Sequence, residues 1–199
     1  MTIETVQLIS DKVLSELQTL LPENLCYHGV HHTIDVVKQS LAIAKRERIT
    51  REEDLLLLQV SALYHDTGFL LTYKGHETES CKKVKRELPF FGFSEIHIKN
   101  ICGMIEATRI PQKPCNLLEQ IIADADLDYL GRNDFQKISK TLQAEFISYG
   151  IVGNQKAFEE LQLRFFESHE YCTKSSQKLR GPVKSLHYEE LKKSELLRL

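Results

Sequence analysis

The chain has 199 residues, of which 42% are hydrophobic and 27% are charged, and its formal net charge is −2. This composition is that of an ordinary globular protein with enough residues to bury a core, and no stretch approaches the roughly 20 apolar residues that cross a bilayer. The near-neutral charge gives no electrostatic reason to expect nucleic acid or an anionic membrane as a partner.

Helical spacing of apolar residues dominates the first third of the chain. It predicts a helix over about 3–20, which Pro22 ends, and a second helix over about 30–48. Thr50-Arg51-Glu52-Glu53 has the pattern of a capping box, and the helix that follows is apolar nearly all round. We therefore expect this third helix in the centre of the domain, closed at Thr67-Gly68 by a glycine in the left-handed conformation.

The same spacing continues to the C-terminus. Further helices are predicted over about 76–88, after Ser94, over about 116–130, 134–149 and 155–168, and weakly over about 188–197 in a polar tail. No segment shows the alternation of a strand. The predicted class is all-α, with one domain over 1–199, a motif-bearing core at about 25–132 and a C-terminal helical extension at about 133–199.

The cysteines and the N-terminus bear on the cellular compartment. The five cysteines are scattered without a Cys-x-x-Cys pair, which argues against a disulfide framework and a zinc knuckle. The N-terminus lacks the positive region and apolar run of a signal peptide. We therefore expect reduced thiols in a cytoplasmic protein.

The doublet His65-Asp66 lies at the end of the most apolar predicted helix. An imidazole and a carboxylate are costly to bury there unless each has a partner. A divalent metal ion satisfies both, because neutral imidazole and carboxylate are ligands favoured by Zn, Fe, Mn and Ni. The doublet therefore predicts a metal ion beside the helix end.

Two other segments carry the same chemistry. His28 and His32 are four residues apart on one face of a helix start, so that one can bind the metal while the other faces a substrate. Asp35 is spaced to orient an imidazole. The carboxylates of residues 124–128 follow an apolar stretch, and at least one of them should face a cation; a solvated helix face is the alternative reading.

The ordered set of His, His-Asp and Asp resembles the HD superfamily, which is named for its doublet. Residues 27–36 resemble the Y-H-x-x-x-H-x-x-D-V pattern of the cyclic-nucleotide phosphodiesterases, and Ala125-Asp126-Leu127 resembles the closing A-D-L of the family. The resemblance covers about 27–132 and implies an HD-domain helical bundle with additional C-terminal helices. Segments 75–80 and 124–132 resemble an uncharacterised bacterial group of HD proteins.

The resemblance also implies a role for each matching residue. The implied metal ligands are His32, His65, Asp66 and Asp126. His28 is the implied proton donor to the leaving oxygen, and it forms the catalytic set together with Asp66. The implied cofactor is one divalent ion, which can be Mn, Fe, Ni, Zn, Co or Mg.

Two departures from the family pattern limit these implications. Phe69 stands where many members have a lysine that contacts phosphate. His76 fits the first of two additional histidines found in dinuclear members, but residues 105–108 contain no histidine for the second. One metal ion therefore fits best, with a weak second site, bridged by Asp66 and helped by His76, as the alternative.

Substrate-binding residues are predicted from their place near the ligand-bearing segments. They are His76, Arg109, Lys74 and Asp128, with Lys113 as a further candidate. For Arg109, Lys74 and Lys113 the alternative is an ordinary surface charge, and for Asp128 it is a helix-capping or supporting role.

The predicted function is hydrolysis of a phosphomonoester or phosphodiester by metal-activated water. The expected partner is a small phosphate-bearing substrate, namely a nucleotide, with neither a membrane nor nucleic acid, and a homodimer is compatible with the sequence. The alternatives are a non-catalytic sensor or scaffold that binds a nucleotide or metal, and a di-iron oxygenase.

Overall fold

The computed structural model describes residues 2–196 and the side chains of residues 2–193. Nine α-helices occur in this part: α1 (Ile3–Leu20), α2 (Val30–Arg46), α3 (Glu52–Tyr64), α4 (His76–Glu87), α5 (Glu95–Glu106), α6 (Leu117–Asp126), α7 (Phe135–Ser148), α8 (Gln155–Ser168) and α9 (Lys174–Leu196). Short 3-10 helices occur at Thr67–Leu70, Leu88–Phe91 and Asp128–Gly131. Residues 2–196 contain no β-strand, which confirms the all-α prediction. Met1 and residues 197–199, with the last residue of the predicted helix at about 188–197, lie outside the described residues.

The chain forms two compact units. The first unit comprises Met1–Pro22 and His28–Asp126, and the second comprises Glu23–Tyr27 and Leu127–Leu199. Helices α1 to α6 belong to the first unit and α7 to α9 to the second. The single domain with a core and an extension stays a prediction. Among the helices of the described part, none is both long and apolar enough to cross a membrane.

Helix α3 forms the centre of the first unit. Its residues Leu57, Leu58 and Val60 are at most 1% exposed, and α1, α2 and α5 pack around it. A helix surrounded in this way keeps no polar face, which is why its sequence is apolar nearly all round. Its C-terminal end therefore brings His65-Asp66 into the interior.

The start of α3 differs from the predicted capping box. The N-cap is Arg51, which makes no side-chain capping bond, and its carbonyl accepts the amides of Asp54 and Leu55. The helix thus begins one residue later than a Thr50 cap requires. Acidic side chains in the first turn, including Glu52 and Glu53, take over the stabilisation of the exposed amides through their charge.

The predicted left-handed conformation of Gly68 is wrong. Gly68 belongs to the 3-10 helix Thr67–Leu70 and does not have a positive φ angle. A glycine is required for a different reason, because a β-carbon here would lie 1.8 Å from the carbonyl oxygen of His76. The close approach of two backbones, which helix-ending rules do not detect, selects this residue.

Helix α6 ends at Asp126, whereas the predicted helix continues to about residue 130. In the second unit, the Tyr171 hydroxyl donates to the carbonyl of Leu127 at 3.2 Å and lies 3.4 Å from the carbonyl oxygen of Asp128. The backbone there forms the tighter bonds of a 3-10 helix, such as Leu130 N to Leu127 O at 3.1 Å. Tyr171, which is distant in sequence, thus contacts the backbone at the point where the α-helix gives way to a 3-10 helix.

The polar C-terminal tail is more helical than predicted. Helix α9 runs over Lys174–Leu196 with Pro182 inside it, so the prediction of a weak helix confined to about 188–197 is wrong. Its polar side chains have specific partners in the second unit: the Arg180 guanidinium donates to both carboxylate oxygens of Asp128, and Lys184 Nζ donates to the Phe166 carbonyl at 2.9 Å. These bonds replace the apolar face that usually reveals a packed helix.

Candidate metal centre

His65 follows the last residue of α3 and is fully buried. Its Nδ1 lies 2.8 Å from the carbonyl oxygen of Ala62, an acceptor, so Nδ1 carries the proton of the neutral ring. The lone pair of Nε2 is therefore directed away from the helix. Second contacts of this kind orient many histidine metal ligands.

Three ligand atoms converge on one point in the first unit. Asp66 Oδ2 lies 3.1 Å from His65 Nε2 and 3.4 Å from His32 Nε2, and the two Nε2 atoms are 3.4 Å apart. Each of the three residues offers one atom, and all three atoms lie within 4.8 Å of one another. Asp126, the last residue of α6, adds Oδ1 at 3.0 Å from His32 Nε2 and 3.6 Å from His65 Nε2.

The atom that tests the fit of a metal ion is Asp66 Oδ2. It is buried and accepts no hydrogen bond, although two imidazole nitrogens lie close to it. A buried carboxylate oxygen without a donor is costly, and a divalent cation among imidazole and carboxylate ligands removes that cost. His32, His65, Asp66 and Asp126 thus fit a divalent ion, and their assignment as its ligands stays a prediction.

Imidazoles and carboxylates in this cluster shift one another's pKa. Burial lowers the pKa of His65, but the charge of Asp66, helped by Asp126, outweighs burial and raises that pKa well above its usual value. Burial raises the pKa of Asp66, whereas the charge of His65 holds it well below its usual range. Without a metal ion, the cluster therefore retains a proton that a binding cation has to displace.

An aromatic stack lies beside these ligands. The Phe69 ring stacks on His76 at a centroid distance of 3.9 Å and on His28 at 4.4 Å. His76 Nε2 lies 3.4 Å from Asp66 Oδ1, and the His28 ring meets the His32 ring edge-on at 5.6 Å. The His28 and His76 rings also lie 6.2 Å apart, so the structure brings the predicted proton donor, His76 and Phe69 together in one group of three rings beside the cluster.

The family model described as HD domain matches residues 29–128, which is half of the chain. This chain belongs to the HD superfamily. The superfamily includes metal-dependent phosphohydrolases, and HD domains bind divalent metal ions. The His-His-Asp cluster of this HD chain lies within the matched residues and has the ligand types that such an ion requires.

A solved structure supports the HD fold over nearly the whole chain. It is a crystal structure of a predicted HD superfamily hydrolase from an uncultured Thermotogales bacterium, with 20% identity and a TM-score of 0.59. The likeness covers 95% of this chain and 92% of the other. At this identity it speaks for the fold alone. No protein in a search of curated sequences matches the chain.

Two residues without a predicted role lie near the site, Ser80 against the HD doublet and Glu77 beside His76. Ser80 Oγ donates to the carbonyl of His65 at 2.7 Å and accepts the amide of Gly68 at 2.8 Å. Glu77 is 7% exposed, and its Oε1 lies 3.9 Å from His76 Nε2. A signal for Ser80 was present, because it follows His76 by four residues and so shares its helix face. For Glu77, the only signal in the sequence was its position next to His76.

The predicted phosphate-binding cations of the HD site have different surroundings. Arg109 Nη2 donates to Thr78 Oγ1 at 2.7 Å and pairs with Glu106 at 2.9 Å, while its Nε lies 3.7 Å from Glu77 Oε2. The Arg109 side chain is 45% exposed, so part of it can reach a ligand. Lys74 and Lys113 are exposed. Substrate binding by these three residues stays a prediction.

Asp128 belongs to the second unit and is 1% exposed. Its two carboxylate oxygens accept bonds of 2.8 and 2.9 Å from Arg180, and Arg132 Nη1 lies 3.6 Å from one of them. Both carboxylate oxygens of Asp128 are thus paired within the second unit, and both the predicted substrate contact and its alternative stay predictions. Asp124 is also buried, at 0% exposure.

Proposed function

We propose that this HD chain is a metal-dependent phosphohydrolase that cleaves a phosphomonoester or phosphodiester of a nucleotide. The observation that carries the proposal is the buried Asp66 Oδ2, which accepts no hydrogen bond and faces the Nε2 atoms of His32 and His65. The family supports the reaction class, and the proposed nucleotide rests on the resemblance of residues 27–36 to the cyclic-nucleotide phosphodiesterases.

The proposed ligands of one divalent ion are His32, His65, Asp66 and Asp126. When bound, such an ion polarises a phosphoryl oxygen and lowers the pKa of a coordinated water toward neutrality. The Nδ1–H of His65, held by the Ala62 carbonyl, keeps its Nε2 directed at the ion. His76, whose Nε2 lies beside Asp66 Oδ1, is the residue that a weak second ion would use.

His28 is the proposed general acid. It is partly exposed, so a substrate can reach it, and its ring lies next to that of His32. A protonated imidazole can give its proton to the leaving oxygen as the bond to phosphorus breaks. Arg109, Lys74 and His76 are the proposed contacts to the substrate, and Arg109 offers a planar guanidinium that suits phosphate. Substrate binding by Asp128 stays a prediction from the sequence.

The test is a turnover assay with a panel of nucleotides and phosphodiesters in the presence of Mn, Co, Ni or Mg. We expect Asp66→Ala to lower activity by more than about 100-fold and to remove the bound metal, since loss of outer partners alone costs about 10–100-fold. Asp11→Ala is the matched control, because Asp11 is exposed on α1 and should leave both unchanged.

Each outcome separates this proposal from its alternatives. Activity that survives Asp66→Ala at an undiminished rate contradicts the proposed site. Bound metal without turnover across the whole panel favours a non-catalytic sensor or scaffold. Two irons per chain together with oxygen consumption favour an oxygenase.

A further inference from the structure

Two cysteines that are 21 residues apart in sequence meet between helices α4 and α5. Cys81 Sγ lies 3.6 Å from the carbonyl oxygen of Cys102, and Cys102 Sγ lies 3.8 Å from the carbonyl oxygen of Cys81. These reciprocal contacts place each sulfur beside the backbone of the other residue. The two cysteines therefore face each other across the packed interface between α4 and α5, within the first unit.

The two thiols differ in access and in acidity. Cys81 is 5% exposed, whereas Cys102 is partly exposed. A hydrogen bond from the Cys81 thiol lowers the pKa of Cys102, against the effect of burial and with help from the charge of Lys85. The same bond and burial raise the pKa of Cys81. Cys102 is thus both the accessible sulfur and the better nucleophile.

We propose that Cys81 and Cys102 form a redox modification site, at which a peroxide joins them in a reversible disulfide between α4 and α5. The Cys102 thiolate attacks one oxygen of the peroxide, an S–O bond forms, and the O–O bond breaks to release water after protonation. The Cys81 sulfur then attacks the Cys102 sulfenic acid, the S–S bond forms, and the hydroxide leaves as water with the Cys81 proton. Two thiols are oxidised, and one peroxide is reduced to two waters.

Geometry and packing favour a bond inside one chain over other fates of the oxidised sulfur. The Cys102 sulfenic acid would form with Cys81 already in contact, so no long search by the chain is needed. A disulfide requires the two sulfurs to approach to about 2.05 Å, and each sulfur already lies beside the backbone of the other residue. The site is independent of the proposed hydrolase activity, because neither sulfur is among the proposed metal ligands.

The test uses the full-length chain with Cys26→Ser, Cys115→Ser and Cys172→Ser, which keeps the two paired cysteines alone. After one equivalent of hydrogen peroxide, remaining thiols are alkylated and the protein is digested with trypsin without reduction. We expect a peptide that joins residues 75–82 to residues 100–109 and an intact mass lower by two hydrogens. Dithiothreitol should restore both thiols.

Two further variants in the same background decide between a pair and isolated thiols. In Cys81→Ser, oxidation of Cys102 should stop at a sulfenic acid that dimedone labels, and in Cys102→Ser no cross-linked peptide should form. Circular dichroism checks that both variants are folded. If both thiols are still alkylated after peroxide, or if Cys102 goes on to sulfinic acid while Cys81 stays a thiol, the proposal is overturned.

Discussion

Each unit buries an aspartate among cationic groups, but the two aspartates are bonded differently. In the first unit, Asp66 Oδ2 is buried and accepts no hydrogen bond, although His65 and His32 surround it. In the second unit, both oxygens of Asp128 accept bonds from one guanidinium, that of Arg180. A carboxylate whose two oxygens are both bonded to protein groups contributes to the fold. One with a buried oxygen that accepts no hydrogen bond can still bind a metal ion.

The cationic partners sharpen this difference. An arginine keeps its charge at any pH that a folded protein meets, so Arg180 has one charge state. A histidine can lose its proton, so the cluster around Asp66 has two: a protonated imidazole, or a neutral one with a metal ion in place of the proton. The cluster around Asp66 can therefore exchange a proton for a metal ion, whereas the Asp128–Arg180 pair cannot.

We expect the largest effect on the free energy of unfolding when the Asp128–Arg180 pair of the second unit is broken. We expect Asp128→Asn to lower the free energy of unfolding by about 3 kcal/mol, because Arg180 is left largely buried with its charge uncompensated. In the presence of a chelator, Asp66→Asn should cost less, since the neighbouring imidazole can release its proton. Urea denaturation of both variants measures the difference.

The comparison has its own control. In the double variant Asp128→Asn with Arg180→Met, the charge that was left unpaired is gone, so part of the lost stability should return. Equal losses for Asp66→Asn and Asp128→Asn would contradict the distinction between the two aspartates. Steady-state kinetics of the folded Asp128→Asn protein also test the predicted substrate contact, because loss of that contact should raise KM.

A second prediction contrasts buried histidines. His169 in the second unit has no hydrogen bond at either ring nitrogen, and burial, with a contribution from the charge of Lys184, lowers its pKa to about 4. The unfolded chain has a pKa near 6.5 for this group and so binds more protons between these values. Stability is therefore lost as pH falls from about 6.5 to about 4, by roughly 3 kcal/mol in total.

The measurement is the free energy of unfolding as a function of pH for the native chain and for His169→Phe. Phenylalanine keeps an aromatic ring beside Phe165 and Tyr171 but cannot bind a proton. The difference between the two profiles should grow as pH falls through this range. Parallel profiles would show that His169 does not contribute to the pH dependence of stability. The contrast between His169, whose pKa is lowered, and His65, whose pKa is raised, would then be unsupported.

The smallest expected effect concerns Phe69 and rests on the proposed function. Phe69→Leu removes two ring contacts, to His28 and to His76, each worth about 0.5–1.5 kcal/mol. We expect kcat to fall about tenfold while metal affinity changes little, because the general acid loses its orientation but the ligands remain. Steady-state kinetics together with metal titration distinguish these quantities.

Phe135→Leu is the matched control for this variant. Phe135 is a buried phenylalanine of the second unit whose ring also stacks on a histidine, His187, at 4.7 Å. Its replacement should lower stability without lowering kcat per folded chain. If Phe69→Leu behaves in the same way, Phe69 is packing alone and has no part in positioning His28.

The sequence by itself determined the all-α class, the approximate bounds of most helices and the residue types of the candidate metal centre. These features are local: apolar spacing of three and four reports one buried face, and a His-Asp doublet at the end of an apolar helix is costly to bury without a cation. The His28 and His32 spacing on one helix face belongs to the same class of information.

Only the tertiary structure decided which distant residues meet. It placed Asp126 beside His32, stacked Phe69 on both His28 and His76, and paired Cys81 with Cys102. It also explained Gly68 by the approach of another backbone and extended α9 through polar bonds to buried partners. Contacts of this kind depend on the packing of elements far apart in the chain, and local periodicity carries no information about them.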